Sequence, residues 1–308
     1  MLGAHKSCYV EVGRSESRNF VPRRAVLLTL ICIFLPFSAY GQSMDSGPVV
    51  IHSDGFRLQA YFYQAQERHL HPTLLLIHGW PGSPGDVLGM GKRLVEHGIN
   101  VLVVSPRGMH ESEGTNTFAG TLRDISASLR WLRTPKVADR FQIDTANIIL
   151  GGHSFGGGMA MAYAATDSSV RQLVSIAGTD HGEFIREYER NESYASMIRE
   201  VLRSTQAPEG PIRFNLEFSI KELMDGREVY GLRENASKLA DRAILLIGGW
   251  EDVNTTVDQF MLPLYRSLRS AGAEDVTFLV YHDDHEFARV RDRLEADIVD
   301  WMERKKPQ

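Results

Sequence analysis

The sequence predicts an α/β domain with a mostly parallel central sheet, helices on both faces and a long helical insertion. Three observations carry that reading. Short apolar runs recur at Thr73 to Ile77, Val101 to Val104, Ile148 to Leu150, Leu173 to Ile176, Ala243 to Ile247 and Val276 to Tyr281, and such runs mark strands buried on both faces. Between them lie segments with helical spacing, Gly85 to His97, Thr121 to Leu132, Gly156 to Ala165, Val257 to Ser270 and Ala288 to Met302, so strands and helices alternate as a parallel sheet requires. One interval, about residues 179–241, breaks the alternation and is rich in large apolar side chains such as Phe184, Tyr194, Met197 and Phe214. A connection that long is expected to carry structure of its own, here a mostly helical lid over the carboxyl edge of the sheet, where open α/β sheets bind ligands.

The parallel series is preceded by a hairpin. Val49 to His52 and Arg57 to Tyr63 are β-rich and flank Asp54-Gly55, a dipeptide suited to a tight turn whose two central residues both need positive φ.

Composition narrows the class. The chain has 308 residues, of which 43% are hydrophobic and 24% charged, as in a folded globular protein. Its 34 Lys and Arg against 39 Asp and Glu give a net charge of -5. No basic surface for phosphates is implied, so nucleic acid is not an expected partner.

Residues 1–41 read as a secretory signal. Arg23 and Arg24 precede the apolar run Ala25 to Phe37, and Ala39 and Gly41 put small side chains where a signal peptidase cuts. The run is shorter than a membrane-crossing helix needs, which separates it from an uncleaved anchor. Cleavage after Gly41 would leave residues 42–308 as one exported domain with no membrane span. Both cysteines, Cys8 and Cys32, lie in the leader, so neither a disulfide nor thiol chemistry is expected in the mature chain.

The chemistry is concentrated after the run Ile148 to Leu150, where Gly152-His153-Ser154-Phe155-Gly156 forms G-x-S-x-G. Composition alone yields about 0.2 such matches in a chain of this length, so the strand before it and the helix after it carry the weight. A dinucleotide-binding loop is the competing reading of a glycine-rich strand-to-helix turn, but G-x-G-x-x-G does not fit these residues. The sharp turn exposes Ser154 as a candidate nucleophile. A serine hydroxyl needs a base and the base needs a carboxylate to orient it. Later strand ends supply Glu251-Asp252 and His282-Asp283-Asp284-His285, in the order serine, acid, histidine that such an elbow calls for.

Asp252 and His285 are the choices, with Glu251 and Asp258 as rival acids and His282 as a rival base. A metal site at the His282 to His285 cluster is disfavoured, because adjacent loop residues seldom converge on one ion. For the oxyanion, Phe155 offers the amide after the nucleophile. The loop His78-Gly79-Trp80-Pro81-Gly82 offers Trp80, since Pro81 has no N–H.

These motifs, together with Ser105-Pro106-Arg107-Gly108, resemble the α/β-hydrolase superfamily over Val49 to the C-terminus. The segment Gly249 to Phe287 looks most like the catalytic domains of prolyl-oligopeptidase-type peptidases and their esterase relatives, including dienelactone hydrolases. The resemblance implies an α/β-hydrolase fold, a serine hydrolase acting on a small ester or short peptide, and no cofactor. Ser154 departs from the aspartate that epoxide hydrolases carry at the elbow, and Ser105 stands where many relatives have an acidic residue. Ester cleavage is the leading expectation, with peptide or amide cleavage as one alternative and a non-catalytic binding protein on the same fold as the other.

Overall fold

The computed structural model describes residues 46–67 and 69–305; the signal-peptide reading of residues 1–41 lies outside them. Eight strands form one sheet in the order β1-β2-β4-β3-β5-β6-β7-β8: β1 (Gly47–Ser53), β2 (Phe56–Tyr63), β3 (His71–Ile77), β4 (Asn100–Val104), β5 (Ile143–His153), β6 (Gln172–Ile176), β7 (Ala243–Gly249) and β8 (Val276–Tyr281). The β1–β2 hairpin turns at Asp54 and Gly55, which have φ of 49° and 84°, and β2 pairs antiparallel with β4. All other pairings are parallel.

Alternation along the strands splits the core in two. Leu75, Ile77, Leu102, Val104 and Leu150 face one side, packed with α2 (Phe118–Leu132) and α4 (Phe155–Ala164). Leu74, Leu76, Val101, Val103 and Ile149 face the other, against α1 (Met90–Leu94) and α11 (Arg291–Arg304). This is the period of two expected of strands covered on both faces.

The strand order reverses direction at β3. From β3 the chain moves outward to β4, then returns to β5 on the other side of β3. A crevice opens at the carboxyl ends of strands at such a point. Ile77 of β3 pairs with Gly152 of β5 there, so the loop after β3 and the elbow after β5 meet.

The interval between β6 and β7 is helical, with α5 (His181–Arg190), α6 (Glu192–Thr205), α7 (Leu216–Asp225), α8 (Arg227–Tyr230) and α9 (Ala236–Leu239). Its two ends are tied by one buried side chain: Asp180 Oδ1 accepts from the amides of Gly182 and Glu183 at the start of α5 and from Leu232 near the end of the insertion.

Two helix expectations need correction. Gly85 to His97 is helical only from Met90, because Leu88 and Gly89 adopt left-handed φ of 54° and 73°. Asp86 Oδ1 accepts from the amides of Val87 and Gly91 and holds that turn. The last helix starts at Arg291 rather than Ala288, since Asp283 Oδ2 takes the amides of Arg289 and Val290. A short helix that the sequence pattern did not indicate, α3 (Pro135–Phe141), follows α2 with proline in its first turn. The helix expected over Val257 to Ser270 begins with a π turn, Val257–Met261, that runs into α10 (Leu262–Ser270).

Candidate active site

Ser154 sits between the end of β5 and the first residue of α4 with φ 55° and ψ −122°, a region almost closed to residues with a Cβ. The two motif glycines permit it. A Cβ at Gly152 would lie 2.4 Å from the carbonyl carbon of Gly156, and one at Gly156 would lie 2.1 Å from the Ile77 carbonyl oxygen. The Ser154 amide donates to Ile176 of the neighbouring strand at 2.9 Å, and its carbonyl accepts from Gly158 and Thr179. The backbone is fixed on both sides while the side chain stays partly exposed.

The candidate acid and base lie on two loops that are laced together. Trp250 and Glu251 donate their amides to the carbonyls of Tyr281 and Asp283. Asp252, buried, accepts the amides of Asn254 and Thr255 on Oδ1 and faces the Nδ1 of His285 with Oδ2 at 2.7 Å. Burial works against the ionised carboxyl, but the hydrogen bond and charge of His285 and the two amides outweigh it and hold the pKa below the usual value.

The rivals go elsewhere. Glu251 pairs with Arg289, and His282 and Asp258 are exposed. Asp283 is occupied by the Arg289 side chain and the local backbone. Among the described residues no cluster of three or more His, Cys, Asp or Glu side chains has the arrangement to hold a metal ion.

Gly79 packs against the elbow: a Cβ there would lie 3.2 Å from that of Ser154. The next residue, Trp80, has a backbone N–H with no protein acceptor among the described residues. Phe155 opens α4, where N–H groups have no intrahelical partner. The loop itself rests on His78, whose Nε2 lies 3.1 Å from the Ser105 hydroxyl and whose Nδ1 lies 2.8 Å from the Gly79 carbonyl. Burial, assisted by His110 and only partly offset by the Gly79 carbonyl, pushes the His78 pKa down to about 4. The neutral imidazole is matched by the neutral hydroxyl of Ser105.

No hydrogen bond joins the Ser154 hydroxyl to the His285 ring; contacts of this kind often tighten only with substrate in place. Both side chains line the same two cavities. One, of about 320 Å³, runs under the helical insertion and is walled by Trp80, Phe118, Phe155, Phe184 and Phe214. The other, of about 520 Å³, lies beside the β3–α1 loop with Asp86 and Arg291 in its wall. Trp80, Ser154, His285 and Glu286 line both. The first chamber is mainly apolar, and the second is lined by a mixture of polar and apolar groups.

Sequence reasoning missed His153, whose ring lies 4.6 Å from that of His285 at a tilt of 45°. It occupies an unspecified position of the motif, so no local signal marked it. It also missed His181 and Arg291, whose place at the cavities depends on packing between distant segments.

The sheet order, the elbow after β5 and the helical insertion make up an α/β-hydrolase fold. The family model for the alpha/beta hydrolase fold matches residues 72–209. Similar proteins include the alpha/beta hydrolase domain-containing protein WAV2 of Arabidopsis thaliana, 33% identical over 106 residues, 34% of this chain and 33% of that one. A proline iminopeptidase of Saccharolobus solfataricus is 22% identical over 272 residues, covering 74% of this chain and 84% of that protein. Among solved structures, Est1E from Butyrivibrio proteoclasticus superposes with a TM-score of 0.60 at 17% identity, covering 84% of this chain and 98% of that one. The chain thus spans only a third of the length of WAV2, while the fold is shared almost end to end with Est1E. Its fold is that of the α/β hydrolases.

Proposed function

We propose that the chain is a serine hydrolase that cleaves carboxylic esters of small molecules through an acyl-enzyme, and that it acts after export. The observation that carries the reading is the 2.7 Å contact between His285 Nδ1 and Asp252 Oδ2 beside a serine held at a strained elbow. In the forward half-reaction Ser154 Oγ attacks the ester carbonyl carbon and gives its proton to His285 Nε2. Asp252 keeps the Nδ1–H of His285 pointed away from the serine and stabilises the imidazolium. The carbonyl oxygen, now an oxyanion, accepts from the amides of Trp80 and Phe155. Collapse of the intermediate expels the alcohol, which takes its proton from His285. Water then repeats the sequence on the acyl-enzyme and frees the acid.

The test is Ser154→Ala in the folded protein, expected to lower kcat on p-nitrophenyl esters by about 10⁴ to 10⁶, together with loss of fluorophosphonate labelling at residue 154. Equal turnover by the variant refutes the assignment. The extended similarity to a proline iminopeptidase supports a second reading, amide cleavage by the same groups. Comparing p-nitrophenyl esters with aminoacyl and prolyl anilides separates the two. Export rests on the leader sequence and is tested by N-terminal sequencing of the extracytoplasmic protein, with Gln42 as the expected first residue.

A further inference from the structure

The apolar cavity under the insertion holds two polar side chains for which the proposed mechanism has no use. His181, the first residue of α5, is only 3% exposed and lines the cavity that contains Ser154. Neither of its ring nitrogens has a hydrogen-bond partner among the described residues, and Nδ1 is fully sealed from solvent. Its ring meets Phe118 and Phe155 edge-on, at centroid distances of 5.2 and 5.5 Å. The Nδ1–Cε1 edge faces the backbone of α4, where a Cβ at Gly158 would come within 2.9 and 2.7 Å of those atoms. Nε2 is then the polar atom left to the cavity. Ser219 of α7 is buried at 7% exposure, lines the same chamber, and its hydroxyl also has no hydrogen-bond partner among the described residues.

Buried polar atoms are ordinarily paired, and an unpaired one is costly. Packing alone gives no reason for an imidazole here, since a phenyl ring would fill the same aromatic niche without that cost. The ring is also well placed to stay put, because Asp180 caps its helix and ties it to Leu232. Burial keeps it neutral, with a pKa pushed down to about 3, and a neutral imidazole has one N–H to donate. With Nδ1 against the C–H of Gly158, the proton belongs on Nε2, facing the cavity.

We infer that His181 and Ser219 anchor the acyl group of the substrate, which is therefore an apolar, ring-bearing acyl group carrying a hydrogen-bonding oxygen remote from the ester. The aromatic walls take the ring, and the Nε2–H and the serine hydroxyl take the oxygen. The inference deepens the proposal that Ser154 attacks an ester, and rests on it for the orientation of the acyl group.

The experiment compares methyl 3-phenylpropanoate with its ring-hydroxylated 3- and 4-hydroxyphenyl analogues on the full chain. The wild type is expected to favour at least one hydroxylated ester by roughly tenfold in kcat/KM, the scale of one neutral hydrogen bond in a closed site. In His181→Phe that ratio falls to near one, and in His181→Gln, which retains a donor, part of it survives. Circular dichroism confirms that each variant is folded. A wild-type ratio near one for both isomers, or an unchanged ratio in His181→Phe, overturns the inference.

Binding of the same three esters to Ser154→Ala by calorimetry separates this result from that of the mechanism. If no ester is turned over but the hydroxylated one still binds tighter, the anchor stands and the hydrolase reading falls. If all three are hydrolysed at one rate and bind alike, the hydrolase reading stands and the anchor falls.

Discussion

The Nε2 of His153 lies 2.9 Å from the backbone carbonyl oxygen of His285, and the two imidazoles lie 4.6 Å apart. A carbonyl only accepts, so His153 carries its proton on Nε2. Burial, with the nearby His285, pushes its pKa down to about 3 and keeps the ring neutral. The residue next to the elbow serine thus pins the loop that bears the proposed base. Replacing it with phenylalanine keeps a ring and removes the donor. We expect His153→Phe to lower kcat by about 10- to 100-fold through loss of alignment, with KM changed by less than about threefold. A variant with normal kcat would show that the loop holds itself.

Asp252 is tied on one oxygen by two backbone amides, which fixes which atom an amide replacement would present. In Asp252→Asn the oxygen stays with the amides of Asn254 and Thr255, so the NH2 group faces His285. An NH2 only donates, which forces the His285 proton onto Nε2, the wrong nitrogen for a base. Turnover is expected to fall by about 10³ to 10⁴ at neutral pH with a thermal midpoint near that of wild type. Retention of more than a tenth of kcat would remove Asp252 from the mechanism.

Gly156 tests the elbow as architecture. A methyl group there meets the Ile77 carbonyl carbon at 2.5 Å and its oxygen at 2.1 Å, contacts that backbone on both sides cannot relieve by a rotamer change. Gly156→Ala is expected to lower stability by about 3 kcal/mol or more, beyond the usual cost of overpacking, as measured by urea unfolding. Gly272, with open space around its Cβ position but a φ of 89°, is the control for conformational strain alone.

The elbow was legible because its determinants are local: two glycines, one serine, and a strand and helix on either side. The β1–β2 hairpin was legible for the same reason, from Asp54-Gly55. The start of α1 was not. Apolar spacing across Gly85 to His97 fits a helix, but the left-handed turn at Leu88 and Gly89 is held by the Asp86 carboxylate, a contact that periodicity does not record. Glu251 is drawn away by Arg289, while Asp252 faces His285, and neither pairing is recorded in the local sequence. His181 gave no sign of its place because its environment is assembled from Phe118, Phe155 and Gly158, residues of other elements.

Three buried neutral histidines make acid sensitivity a property of the fold. Burial pushes the pKa of His78 down to about 4 and those of His153 and His181 to about 3, against about 6.5 in an unfolded chain. Between those values the unfolded state holds more protons than the folded one, so stability falls as pH drops from about 6.5 toward 4 and is unaffected by these groups at higher pH. Each histidine costs about 2 kcal/mol at pH 5 relative to pH 7.5 by this linkage. The paired carboxyls Asp252 and Asp283, whose pKa values lie below the usual range, add their loss only at more acid pH. Urea unfolding at pH 7.5 and pH 5 is expected to show a large loss for wild type and a loss smaller by about 2 kcal/mol for His153→Phe, since the comparison cancels every group the two proteins share. The same acid loss in both would mean that residue 153 is already protonated in the folded protein, and that its bond to the His285 carbonyl has a different proton inventory from the one argued above.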